Sequence, residues 1–86
     1  MEKSTQAFKA KLEETHSFPA LYMFKFVVPS AQIDEVISLF PKNEVQLKPS
    51  SAGKYTSVTC RMMVSSSDQI IDTYEHASKI EGVISL

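Results

Sequence analysis

The 86-residue chain is poor in the residues that most often carry recognisable chemistry. It has one cysteine, two glycines, two histidines and no tryptophan. A single cysteine excludes an intramolecular disulfide and a CxxC metal or redox motif. Gly53 and Gly82 are too few for a phosphate-binding loop, a dinucleotide fingerprint or a nucleophile elbow. Because no catalytic signature is present, we expect a protein that is not an enzyme and that uses no cofactor and no metal.

A dominant charge and a long apolar run are missing as well. Nine basic and ten acidic residues leave a net charge of −1, so no overall field draws the chain to nucleic acid or to an anionic membrane. The longest apolar stretch, "ALYMFKFVV" with Lys25 inside it, is too short to cross a bilayer. The charged start, "MEKSTQAFKAKLEETH", resembles neither a signal peptide nor a transit peptide. We therefore expect a soluble, cytoplasmic protein.

The first half of the chain predicts a helix, a strand and a second helix. Residues 4–15 place Phe8 and Leu12 on one helical face, and Pro19 ends this segment. Residues 20–28 alternate like a half-buried strand. The strand's expected core face is Tyr22, Phe24, Phe26 and Val28. Pro29 and Ser30 should then cap a helix that Pro41 closes. The apolar stripe of this helix is Ile33, Val36, Ile37 and Phe40.

The second half predicts two strands, a helix and a last strand. Residues 44–49 and 55–64 alternate on either side of the turn "SSAGK". The expected core face of the longer strand is Val58, Cys60, Met62 and Val64. Ser66 and Gln69 match a capping box at the start of a helix, Gly82 ends that helix, and "VISL" forms the last strand.

This order of elements predicts a ferredoxin-like βαββαβ sandwich of the α+β class. Residues 1–19 form an N-terminal helical arm and residues 20–86 one domain, in which two helices cover one face of a four-stranded antiparallel sheet. The other face would be apolar and interrupted by charge, which is typical of a contact surface. Its apolar residues are Leu21, Met23, Val27, Tyr55 and Met63. Either the arm, through Phe8 and Leu12, or a second subunit should cover it, and we expect a homodimer.

Few side chains outside the hairpin are candidates for chemistry. His16 and His76 lack further ligands at a metal-binding spacing, although His76 can pair with Asp72 one turn away. Cys60 should be an inert core residue. Acidic residues in the last helix region give it a net charge of −3, whereas residues 42–61 carry +3. An RNA-recognition sheet would need a second stacking ring where Ser57 stands, so we expect no nucleic acid partner.

The hairpin "KPSSAGKYTSV", residues 48–58, allows two interpretations. Proline suits an edge strand, serines bond to local backbone and glycine accepts a positive φ, so the sequence can simply encode a turn. Hydroxyls, turn amides and two lysines can equally form a cradle for a carboxylate or phosphate. The candidate binding residues are Lys48, Pro49, Ser50, Ser51, Gly53, Lys54, Tyr55 and Ser57.

The same stretch resembles the signature of the YbeD-like family of small bacterial proteins of unknown function. "FP" before the first strand and "KIEGVISL" at the end fit this resemblance, which covers most of residues 8–86. It implies a βαββαβ fold similar to the ACT regulatory domains of amino-acid metabolism, and a link to lipoate metabolism. It brings no catalytic residues. We therefore expect a regulatory module that binds a small anionic metabolite or a protein partner; the alternative is an interaction domain without a small ligand.

Overall fold

The structure, a computed structural model, describes residues 2–85. Its elements in chain order are helix α1 (Glu2–Thr15), strand β1 (Ala20–Pro29), a 3-10 turn (Ser30–Gln32), helix α2 (Ile33–Ile37), strands β2 (Gln46–Pro49) and β3 (Tyr55–Val64), helix α3 (Ser67–Ala77) and strand β4 (Ile84–Ser85). The strand order is β2-β3-β1-β4, and every neighbouring pair is antiparallel. The predicted ferredoxin-like α+β sandwich is confirmed, with the first and third strands at its centre. No helix among the described residues is long and apolar enough to span a membrane.

The two central strands carry most of the hydrophobic core. β1 and β3 pair along their whole length, from Ala20 opposite Val64 to Pro29 opposite Tyr55. Because side chains alternate across a strand, every second residue points towards the helices. The fully buried hydrophobic residues on this side are Phe24, Phe26 and Val28 of β1 and Val58, Cys60 and Val64 of β3. The predicted core faces of both strands are confirmed, although Tyr22 and Met62 are only partly buried at their edge.

Helix α2 is shorter than the prediction, which extended it from Ser30 to Pro41. The Ser30 side chain does not cap it: its Oγ donates to the Gly53 carbonyl at 2.6 Å. The Ser30 amide donates to the Lys54 carbonyl at 2.9 Å, so the end of β1 is fastened to the β2–β3 turn. The helix ends at Ile37, and Phe40 enters the core from the turn that follows. The helical spacing in the sequence therefore identified Phe40 correctly as a buried residue, although Phe40 lies outside the helix.

Ser66 caps helix α3 as predicted, with one difference from the predicted capping box. The Ser66 Oγ accepts from the Gln69 amide at 3.3 Å. The Gln69 side-chain oxygen accepts from the Ser65 amide at 2.8 Å, one residue earlier than a capping box requires. The inward stripe of the helix contains Ile70, Ile71 and Ala77, all buried.

The N-terminal arm packs in the helical layer, so it does not cover the opposite face of the sheet. Leu12 is 5% exposed and belongs to the core cluster. The ring of Phe8 meets Tyr74 of α3 edge-on, with ring centroids 5.9 Å apart. The Ser67 hydroxyl donates to the Glu13 carboxylate at 2.9 Å. The arm and a second subunit were the two candidates to cover the sheet face turned away from the helices. The expectation that the arm covers this face is therefore wrong. The boundary between arm and domain at residue 19 stays a prediction.

Candidate functional site

The face of the sheet turned away from the helices, here called the open face, carries the candidate site. Register places the side chains of Leu21 and Met63 opposite each other on it, followed by three further cross-strand pairs. These pairs are Met23 with Arg61, Lys25 with Thr59, and Val27 with Ser57. β2 adds Gln46 opposite Thr59 and Lys48 opposite Ser57. Several large apolar side chains remain exposed here, among them Leu21 at 62% and Met63 at 58%.

A hollow of about 550 Å³ lies on the open face where β2, β3 and β1 run side by side. Lys25 and Lys48 supply its two positive charges. Its hydroxyl groups belong to Ser50, Tyr55, Ser57 and Thr59, and Val27 adds an apolar side chain. No carboxylate side chain lines the hollow among the residues that the structure describes. This composition suits an anionic group, because it offers charge and hydroxyl donors without a competing acid.

The structure divides the predicted hairpin residues into two groups. Five of the eight line the hollow: Lys48, Pro49, Ser50, Tyr55 and Ser57. The other three, Ser51, Gly53 and Lys54, lie in the turn outside it. Their role as a binding site stays a prediction. Reasoning on the hairpin alone missed Lys25 and Thr59, although the alternation of the strands already placed both on the open face.

Hydrogen bonds account for part of the hairpin without any ligand. The Ser50 amide donates to the Tyr55 carbonyl at 2.8 Å, and the Gly53 amide donates to the Ser50 carbonyl at 2.9 Å. Gly53 has a φ of 74°, in the left-handed region that glycine adopts most easily. Ser50 and Gly53 thus have structural roles in the turn. Lys48 takes part in none of these bonds, and its side chain is exposed beside the hollow.

The open face and the helices α2 and α3 carry opposite charges. The charged residues on the open face of β1, β2 and β3 are Lys25, Lys48 and Arg61, all basic. Helices α2 and α3 contain no lysine or arginine, and their charged residues are all acidic: Asp34, Glu35, Asp68, Asp72 and Glu75. The sequence showed this separation as a basic hairpin and an acidic helix. In three dimensions the basic residues lie on the open face of the sheet and the acidic ones on two helices of the opposite side, where Lys9 of α1 pairs with Asp68 at 3.0 Å.

The other side chains capable of chemistry make contacts that are typical of structural residues. The His76 Nδ1 donates to the Asp72 backbone carbonyl at 2.7 Å. Burial raises the pKa of the Cys60 thiol, as expected for a core cysteine. Burial also raises the pKa of Tyr74, whose hydroxyl lies 3.3 Å from that of Tyr22. Within residues 2–85, no three His, Cys, Asp or Glu side chains form a group that could hold a metal ion.

Comparison with known proteins identifies relatives without supplying an activity. The family model described as "Protein of unknown function (DUF493)" matches residues 13–86. A UPF0250 protein of Shewanella halifaxensis is 38% identical over 80 residues, which cover 85% of this chain and 91% of that protein. A UPF0250 protein of Shewanella oneidensis is 35% identical over the same length and coverage. No solved structure matches the chain. The resemblance to the YbeD-like family is confirmed.

Proposed function

This chain belongs to the DUF493 family, whose function is unknown, and we propose from its own surface that it is a non-enzymatic regulatory module that binds a small anionic metabolite. The observation that carries the proposal is the hollow on the open face, where Lys25 and Lys48 flank four hydroxyl groups. Lysine ammonium groups attract carboxylates and phosphates as point charges, and hydroxyls donate to the same oxygens. The ligand's charged group would lie between the two lysines.

The apolar part of the lining narrows the class of ligand. Val27 is an apolar residue of the lining, and Tyr55 adds an aromatic ring that is 47% exposed. A purely ionic ligand would leave this apolar surface in water, whereas a carboxylate with a short aliphatic chain would cover it. The resemblance implies a link to lipoate metabolism, and lipoate is a carboxylate on an aliphatic chain. Lipoate and octanoate are therefore the first ligands to test, ahead of amino acids and inorganic phosphate.

The competing function is an interaction domain without a small ligand. One observation favours it: Leu21 and Met63, the most exposed apolar side chains of the open face, lie outside the hollow. The expected homodimer also stays a prediction. A two-fold contact through the open face would bring Lys25 and Arg61 against the same residues of the second copy, and like charges repel. Pairing at a sheet edge avoids that repulsion, so we expect any dimer to form there.

Ligand-dependent stability tests the proposal. A ligand that binds only the folded state raises its free energy of unfolding, by about 2.7 kcal/mol at a hundred times Kd. We expect octanoate or lipoate to raise Tm, and Lys48→Gln to remove most of this rise. Lys54→Gln is the matched control, because Lys54 lies in the same turn region but outside the hollow. The proposal fails if no anion in the panel shifts Tm, or if both variants respond like the wild type.

A further inference from the structure

A second part of the open face is distinct from the hollow. At the end where β1 begins and β3 finishes, Leu21 lies opposite Met63 and Met23 lies opposite Arg61. We call these four residues the methionine strip. None of them lines the hollow. The exposed fractions of its three apolar residues are 62% for Leu21, 47% for Met23 and 58% for Met63. Contiguous exposed apolar side chains with a charge at their border are typical of a contact surface.

Two parts of the chain that could have covered the strip lie elsewhere. Helix α1 is held against α3 by the Phe8–Tyr74 ring contact and by the buried Leu12. Among the described residues, β4 pairs only with Phe26 and Val27, beyond the far end of the strip. Within residues 2–85 the strip is exposed, and we therefore consider another molecule as its cover.

The charges around the methionine strip indicate which kind of partner would bind there. Arg61 belongs to the strip, and Lys25 stands in the next cross-strand row. A second copy docked face to face would bring together two surfaces whose charged strand residues, Lys25, Lys48 and Arg61, are all basic, and specific interfaces avoid such a meeting of like charges. A partner with acidic residues would instead neutralise them. The acidic residues of such a partner should flank an apolar surface, because Leu21, Met23 and Met63 offer only apolar contacts.

The geometry of the sheet face and the chemistry of its side chains indicate the shape of the partner. A sheet face is covered most effectively by a helix packed across it, as the opposite face of this same sheet shows with α3. Methionine side chains are flexible and polarisable, so they adapt to helices of different sequence. From Leu21 to Val27 the face extends roughly 20 Å at about 3.3 Å per residue. A helix of about 13 residues, rising about 1.5 Å per residue, covers that length.

We propose that the methionine strip is a docking surface for an acidic amphipathic helix of another protein. The helix places its apolar stripe on Leu21, Met23 and Met63, and its flanking carboxylates meet Arg61 and Lys25. Lys25 lines the hollow and also borders the strip, so the helix and a ligand in the hollow would share this one cation.

Two synthetic helical peptides of about 14 residues test the docking surface. Both carry the same leucine stripe; one has glutamates and the other lysines at the flanking positions. We expect the acidic peptide alone to bind, with NMR shifts at the methyl groups of Met23 and Met63. Arg61→Glu should weaken the acidic peptide at least tenfold and strengthen the basic one. Lys48→Gln, which alters the hollow, should leave peptide binding unchanged and so separates this proposal from that of the metabolite site.

Three results would overturn the docking proposal. One is equal binding of the acidic and basic peptides, which would show that charge does not select the partner. Another is the absence of binding, or methyl shifts confined to Met62 on the core side of β3. The third is a wild-type dimer in sedimentation that Met23→Gln and Met63→Gln convert to monomer, which would assign the strip to a second copy. Thermal melts of the variants verify that each remains folded.

Discussion

The two faces of the sheet differ in side-chain composition and burial, although the same strands form both. Along β1, Phe24 is fully buried while its neighbour Met23 is 47% exposed. The core face holds rings: Phe24 lies 5.4 Å from Phe40 and 5.5 Å from Tyr74, measured between centroids. The open face holds flexible methionines, hydroxyls and lysines. Rigid rings specify one packing, whereas flexible and charged side chains leave a surface able to accept a partner.

The difference teaches how a small chain supports both stability and binding. At 86 residues the molecule has one thin core, and aromatic contacts on one face supply much of it. The open face contributes little to that core, so its residues can change without loss of the fold. Binding residues and stabilising residues therefore alternate along the same strands. Three predictions test this separation, from the largest expected effect to the smallest.

The largest effect is expected at Phe24. Phe24→Ala removes a fully buried ring that contacts three others, and such substitutions cost about 3–5 kcal/mol of stability. Met23→Ala, one residue away on the open face, should cost no more than about 1 kcal/mol because half of its side chain is already in water. Urea unfolding of both variants measures the difference. Similar losses at the two positions would show that the open face is part of the core or is covered in solution.

The second effect tests the placement of the arm on the helical side. Leu12→Ala should cost about 2–3 kcal/mol, because Leu12 is nearly fully buried in the core cluster. Phe8→Ala should cost less, since Phe8 is 38% exposed and its main partner is the edge of Tyr74. Urea melts provide the free energies. A Leu12 variant as stable as the wild type would indicate that α1 does not dock against α3.

The sequence was sufficient for features set by local periodicity. Alternation identified the buried residues of β1 and β3, and the serine cluster located the start of α3 at Ser66. It also led to a positive φ at Gly53. In each case neighbouring residues carry the information, because a strand alternates and a cap bonds within one turn.

Features that depend on distant contacts were not predictable. Ser30 looked like a helix cap, but its hydroxyl bonds to Gly53 across the molecule. The hollow combines Lys25 with Lys48, which only the pairing of three strands brings to one place. The sequence left open whether the arm, through Phe8 and Leu12, or a second subunit covers the open face. Long-range packing places the arm in the helical layer, and no local pattern encodes that packing.

The smallest effect concerns the accessibility of single thiols on the two faces of β3. Cys60 is buried, and burial raises the pKa of its thiol, so we expect slow reaction with a disulfide reagent at pH 8. A Met63→Cys thiol in a Cys60→Ala background should react at the rate of an exposed cysteine. Stability should also fall as pH rises above about 8.5, the usual pKa of an unfolded cysteine, because the unfolded chain then releases a proton that the folded chain retains. Rapid labelling of native Cys60, or a protected Met63→Cys thiol, would contradict the assignment of the two faces.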